Sequence, residues 1–330
     1  MIQGENYTIS QYSQKDKVEW DIFIDKSKNG TFLHKIDYLH YHLDKFIDCS
    51  LIIRKRNLIV ALMPGNIEDD VFFSHKGLTY GGLLILPGTK IEDVILYFTL
   101  INQYLKEEKG INKVVYKPIP YIYSDIPSQE DEYALFRLNA SLISSGIASV
   151  INLNEKIPYN SCRKRKIKKA QKYNLEIKTD YSYEDFWDIL TSNLQRTHNA
   201  SPVHKLSEIK TLKKLFPDNI KLFSIYLEDV CLAGAVIYIT KNVAHVQYIS
   251  ANENGKKISA LDFLFDYLIN QAFENMKYFD FGTSVEKKGY YLNEGLSFQK
   301  QGFGARGVLY QQYEYETKNV IQNDKNYNSL

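Results

Sequence analysis

Ala244-His-Val-Gln-Tyr-Ile-Ser250 and the turn after it, Ala251-Asn-Glu-Asn-Gly-Lys-Lys257, decide the fold. The first stretch is rich in β-branched and aromatic residues and reads as a strand. The second is a polar turn whose Gly255 is free to take a positive φ. Leu261, Leu264, Phe265, Leu268 and Ala272 then recur at the spacing of one helical face. A second strand, Tyr278-Phe-Asp-Phe-Gly282, ends in Gly282-Thr-Ser284. Strand, glycine turn, helix, strand is a crossover unit, which joins parallel strands and places ligands beyond their carboxyl ends.

Outward from this unit, the sequence continues through Gly289-Tyr-Tyr-Leu-Asn-Glu-Gly-Leu296 and Lys300-Gln-Gly-Phe-Gly-Ala305 into a last strand, Gly307 to Glu316. On its amino-terminal side lie a strand (Leu175 to Lys178), a helix (Tyr183 to Arg196), a second helix (Leu206 to Leu215) and a hairpin, Ile220 to Leu227 with Cys231 to Thr240. The first half repeats the theme faintly. A hairpin (Cys49 to Arg54, Asn57 to Met63) precedes a buried strand within 80–87, a helix (Ile91 to Glu108) stopped by Gly110, and a parallel partner strand at Lys113 to Pro118. At 330 residues two domains are expected.

The crossover resembles the acyl-CoA-binding core of the GNAT superfamily of N-acetyltransferases. Asp280-Phe-Gly-Thr-Ser284, Leu292-Asn-Glu-Gly-Leu296 and Lys300-Gln-Gly-Phe-Gly304 are similar to one branch of it. That branch comprises the Fem-type peptidoglycan aminoacyltransferases and related acyltransferases of surface-polysaccharide pathways. The resemblance implies a mixed α/β (α+β) architecture of two tandem GNAT-like domains, residues 1–158 and 159–330, the second carrying the acyl-transfer site. It implies an acyltransferase using acyl-CoA, acetyl-CoA included, as co-substrate. The acceptor would be an amine of an amino sugar or similar cell-surface polysaccharide precursor, free, nucleotide-linked or lipid-linked. Two alternatives stay open: a Fem-type aminoacyltransferase taking aminoacyl-tRNA to a peptidoglycan precursor, and a non-catalytic binding relative.

Residues follow from the same resemblance. The usual donor turn has Gln or Arg, two residues, Gly, one residue, then Gly or Ala; the matching positions here are Asn252, Gly255 and Lys257, so both flanks depart from the pattern. Tyr248, Asn252, Gly255, Lys256 and Lys257 are the expected donor-binding residues. Asp280, Thr283, Ser284, Asn293 and His198 are the expected acceptor-binding residues, with turn capping the competing reading for Thr283, Ser284 and Asn293. Lys300 stands where Fem-type enzymes carry a lysine at the acyl-transfer site. It is the expected catalytic cation, against a surface lysine whose stem lies over Phe298 or Phe303.

Other patterns exclude more than they assign. Gly302-Phe-Gly-Ala-Arg-Gly307 spells a dinucleotide fingerprint but runs into a strand, not a helix. Ser284 with His198 and His204 lacks a nucleophile elbow. His34, His40 and His42 do not share one helical face, and three widely spaced cysteines form no metal pattern, so no metal is expected. A net charge of +2 gives no general attraction to DNA. The basic run Ser161-Cys-Arg-Lys-Arg-Lys-Ile-Lys-Lys-Ala-Gln-Lys172 is either a solvated face or an element facing phosphate. No signal peptide and no apolar run of about 20 residues is visible, so a cytoplasmic protein is expected, peripheral to a membrane where its substrate is lipid-linked.

Overall fold

The computed structural model describes residues 2–4, 7–42 and 45–321; the side chains of residues 2–4, His42 and His198 lie outside what it describes. The chain forms two compact units. One comprises Met1–Ser145 and Leu309–Leu330, the other Gly146–Val308.

In the first unit, Tyr7–Gln11, Leu51–Lys55, Leu58–Met63 and Leu84–Ile85 are successive antiparallel neighbours. Alternating apolar residues on these strands, such as Ile9, Leu51, Ile53 and Ala61, bury one face. Against that core packs the helix Ile91–Lys109, through Val94, Phe98, Ile101 and Leu105. Gly110 ends the helix at φ 67°, the left-handed cap that glycine takes without a Cβ penalty. The expected parallel pair of this half is present but with a different partner. Lys113–Tyr116 runs parallel to Val71–Phe73, while the stretch at 80–87 contributes only Leu84–Ile85, antiparallel to Leu58–Met63.

The second unit is a sheet in the order Leu175–Thr179, Ile220–Leu227, Val230–Ile239, Val243–Ala251, Tyr278–Thr283, followed by residues 148–152 of Ser141–Asn152. All neighbours are antiparallel except Val243–Ala251 and Tyr278–Thr283, which are parallel as the crossover requires. Phe265, Phe279, Phe281 and Phe303 fill the core under this pair, with Phe281 and Phe303 stacked at 5.6 Å. Each unit thus contains one parallel crossover among antiparallel strands, the duplicated α/β architecture expected of a tandem fold.

Three elements differ from the sequence expectation. The expected polar turn at 251–257 is largely helical: Glu253–Ile258 is a short helix, separated from the expected helix Ala260–Tyr267 by Ser259 at a left-handed φ of 66°. Gly255 has no positive φ; it sits inside the short helix, where a Cβ would lie 2.3 Å from the Leu232 carbonyl oxygen. And Glu294–Gln301, which has no clear apolar period, is a helix started by the Asn293 side chain accepting the Leu296 N–H at 3.0 Å.

Candidate active site

The two parallel strands pair only over Val243–His245 and Tyr278–Asp280, although both continue. On the other side of the first strand, Val236 faces Tyr248 while Ile237 faces Val246, so Gln247 is an extra, bulged residue. A bulge bends its strand and increases its twist. From His245 onward the strands part, and the gap between them is a pocket of about 280 Å³. That is near the lower end of small-ligand clefts, roughly 300–1,000 Å³.

Its wall is mainly apolar: Leu190 and Leu194 of the helix Tyr183–His198, Val246 and Ile249 of the strand, and Phe265, Phe281 and Phe303 beneath. The polar groups are few and specific. Asn193 donates from Nδ2 to Ser250 Oγ and to the Ala251 carbonyl, both at 2.7 Å, which fixes the helix on the strand end. Lys256 and Lys300 supply the two cations.

Lys300 is 7% exposed, so it is not a surface lysine. Its Nζ donates to the carbonyl oxygens of Gly282 at 3.0 Å and Thr283 at 2.7 Å. Burial lowers its pKa to about 8, and the charge of Asp280 acts the other way. An ammonium has three N–H donors, so one remains beyond the two carbonyl bonds. The lysine is placed by the helix Glu294–Gln301, whose start is tied to the strand end by the Asn293 N–H donating to the Ser284 carbonyl at 2.9 Å.

The other expected residues separate into groups. Thr283 is exposed and offers its carbonyl to Lys300. Ser284 is 2% exposed, its Oγ without a hydrogen-bond partner in the structure. Asn293 is committed to capping the helix that carries Lys300. Asp280 is fully buried and bonded to His245 Nδ1 at 2.8 Å, a partner that sequence reasoning missed because only the parallel register brings the two together. His198 ends its helix, and its side chain lies outside the described residues.

On the donor side, Lys256 lines the pocket with Ser250 and Asn193. Tyr248 does not line it: its hydroxyl accepts the His204 backbone N–H at 3.1 Å, pairs with the His204 ring, and packs edge-on to Trp187. Burial pushes that phenol up to about 12. At the turn, Asn252 accepts the Gly255 N–H at 2.8 Å and donates to the Cys231 carbonyl at 2.9 Å. The Gly255 N–H at this turn is therefore filled by the chain's own carboxamide. Beside it Glu253 pairs with Arg196 at 2.5 Å and Lys256 at 3.0 Å; Arg196 and Lys256 hold its carboxyl down to about 2. The Lys257 carbonyl accepts from Lys169 at 2.6 Å.

The basic run forms the helix Ser161–Ala170. Lys164, Arg165, Lys166, Lys168 and Lys169 are exposed, but Arg163 is buried against Asp262 and over the Phe303 ring. Among the described residues no group of His, Cys, Asp and Glu is arranged to hold a metal ion, and no helix is long and apolar enough to cross a membrane.

The sequence over residues 161–291 matches the family model described as an acetyltransferase (GNAT) domain. No curated protein matches the chain. Among solved structures, FemX superposes with a TM-score of 0.67 at 11% identity, covering 94% of this chain and 97% of that one. L-PGS from Bacillus licheniformis gives 0.59 at 11% identity, with 94% of each chain covered. A tandem GNAT protein from the clavulanic acid biosynthesis pathway gives 0.52 at 8%, covering 94% and 98%. At these identities the likeness is one of fold. Residues 161–291 thus match an acetyltransferase (GNAT) domain, and the chain as a whole shares its fold with tandem GNAT proteins and FemX.

Proposed function

We propose that the chain is an N-acyltransferase that moves an acyl group from acyl-CoA to the amine of an amino sugar or similar precursor of a cell-surface polysaccharide. The observation that carries this reading is Lys300: a buried lysine at the wall of an apolar cleft, anchored by two carbonyls, with a donor to spare. The slender apolar gap between the strands suits a pantetheine-like arm ending in a thioester. The acceptor amine attacks the thioester carbonyl carbon; a C–N bond forms and the π electrons move onto oxygen. Lys300 donates to that oxyanion, where one well-placed donor is worth about 3 kcal/mol. Collapse breaks the C–S bond, the thiolate leaves, and the proton lost by the amine neutralises it.

Lys256, Lys257 and Arg196 stand near the turn as partners for the donor's phosphates, with Asn252 and Gly255 shaping it. Thr283 and Ser284, at the strand end that holds Lys300, would border the acceptor side, with Asp280 buried behind them. A second reading, with aminoacyl-tRNA as donor, draws support from the fold likeness to FemX over nearly the whole chain. Calorimetric titration separates the two. Acetyl-CoA or a longer acyl-CoA should bind with micromolar affinity while free and charged tRNA do not; binding of charged tRNA with no acyl-CoA binding overturns the proposal.

A further inference from the structure

We propose that His245 is a positioning residue for Lys300, acting through Asp280 and the Gly282 peptide. His245 and Asp280 face each other on the last paired rung of the parallel strands, at the apex from which the cleft opens. His245 Nδ1 lies 2.8 Å from Asp280 Oδ2. The other carboxylate oxygen, Oδ1, accepts the Gly282 N–H at 2.7 Å. Gly282 is at φ 72°, a left-handed conformation that turns its peptide, and a Cβ there would lie 3.4 Å from His245 Cε1. The carbonyl of that residue then receives Lys300 Nζ at 3.0 Å. Three consecutive hydrogen bonds therefore run from an imidazole on one strand to the candidate catalytic amine on a helix.

The chain has two consequences. It fixes the carbonyl that aims Lys300, and it gives a buried carboxylate one of its hydrogen-bond partners. Asp280 has no exposed surface, and a charge that deep needs partners, of which the imidazole and the Gly282 N–H are two. Its negative charge is what offsets the burial of Lys300. Among the described residues, Lys256 also lines the pocket, and the Arg163–Asp262 ion pair lies across Phe303. A buried polar network of this kind is effective only when every member is satisfied.

This inference rests on the reading of Lys300 given above, and its test needs no substrate. Trace acetic anhydride labels free amines of the full chain as a function of pH, and mass spectrometry of the Lys300 peptide gives the midpoint of its titration. His245→Leu and Asp280→Asn should both lower that midpoint by about one pH unit relative to wild type. His245→Gln, whose amide N–H replaces the imidazole donor, should restore it. His245→Ala replaces the leucine variant if that variant does not fold. An unchanged or raised midpoint in a folded His245→Leu or His245→Ala protein overturns the proposal. Acyl transfer gives the second readout: kcat falls in the leucine variant and recovers in the glutamine variant, with KM for acyl-CoA unchanged. If Lys300→Met transfers at the wild-type rate while the labelling shifts occur, the catalytic reading fails and the positioning chain stands.

Discussion

Arg163 and Asp262, 99 positions apart in sequence, form a buried ion pair. The pair joins the helix Ser161–Ala170 to the helix Ala260–Tyr267, and the guanidinium lies 5.6 Å from the Phe303 ring centre. Arg163 is thus the one member of the basic run turned inward. Burial raises the Asp262 carboxyl even with the arginine beside it. Removing Arg163 leaves a buried carboxyl without its partner, a change that costs about 3–5 kcal/mol. Arg163→Gln should therefore lower the urea midpoint strongly, whereas Lys164→Gln and Lys168→Gln stay within about 0.5 kcal/mol of wild type.

Gly255 presses against Leu232. A Cβ at residue 255 would lie 2.3 Å from the Leu232 carbonyl oxygen, which belongs to a central strand and has no room to retreat. Gly255→Ala must push the helix Glu253–Ile258 off the sheet, at about 1–3 kcal/mol. Thermal melts should show that loss. Calorimetry should show weakened acyl-CoA binding, because Lys256 moves with the helix.

Glu253 occupies two of the cations at the turn, Arg196 and Lys256. A diphosphate arriving there competes with the carboxylate for the same charges. Glu253→Gln should raise acyl-CoA affinity about threefold at low salt, the scale of one exposed ion pair, and the gain should shrink as salt is added.

The crossover was legible because the β-branched runs, the polar glycine turn at 251–257 and the apolar period of 261–272 all pointed one way. The Ser259 break was not, since a single left-handed serine leaves the hydrophobic period intact. Nor was the inward turn of Arg163, hidden among seven basic residues whose partner lies far along the chain. Lys300 was placed by resemblance, and its burial follows from a helix that sequence periodicity did not signal. His245 carried no sequence signal at all: its role depends on the register of two strands separated by an entire helical crossover.

In the first unit, Tyr116 donates to Asp131 Oδ2 at 2.6 Å, and burial pushes the Asp131 carboxyl up to about 7. Its folded pKa is above its unfolded value, so the folded state holds a proton that the unfolded state releases from about pH 4 upward. Stability attributable to this group falls as pH rises from about 4 to 7 and is level beyond. Asp131→Asn should change the urea midpoint little at pH 4 and raise stability by about 4 kcal/mol above pH 7. Equal midpoints for both proteins at pH 8 would contradict this.

Lys300→Met tests the central claim most directly. The substitution keeps the stem and removes the charge. The lysine's folded pKa of about 8 lies below its ordinary 10.5, so the cost of burying its charge is present in full below pH 8 and disappears as pH rises from 8 to 10.5. Losing that charge offsets the two stranded carbonyls, and the melting temperature at pH 7 should not drop. The deciding measurement is kcat for thiol release from the acyl-CoA selected by calorimetry, with an amino-sugar nucleotide as acceptor. Wild-type kcat should decline above about pH 8 as the ammonium is lost, and at pH 7 the methionine variant should be slower by roughly 10²-fold or more. A folded variant that turns over at close to the wild-type rate would contradict the assignment of Lys300 as the catalytic cation.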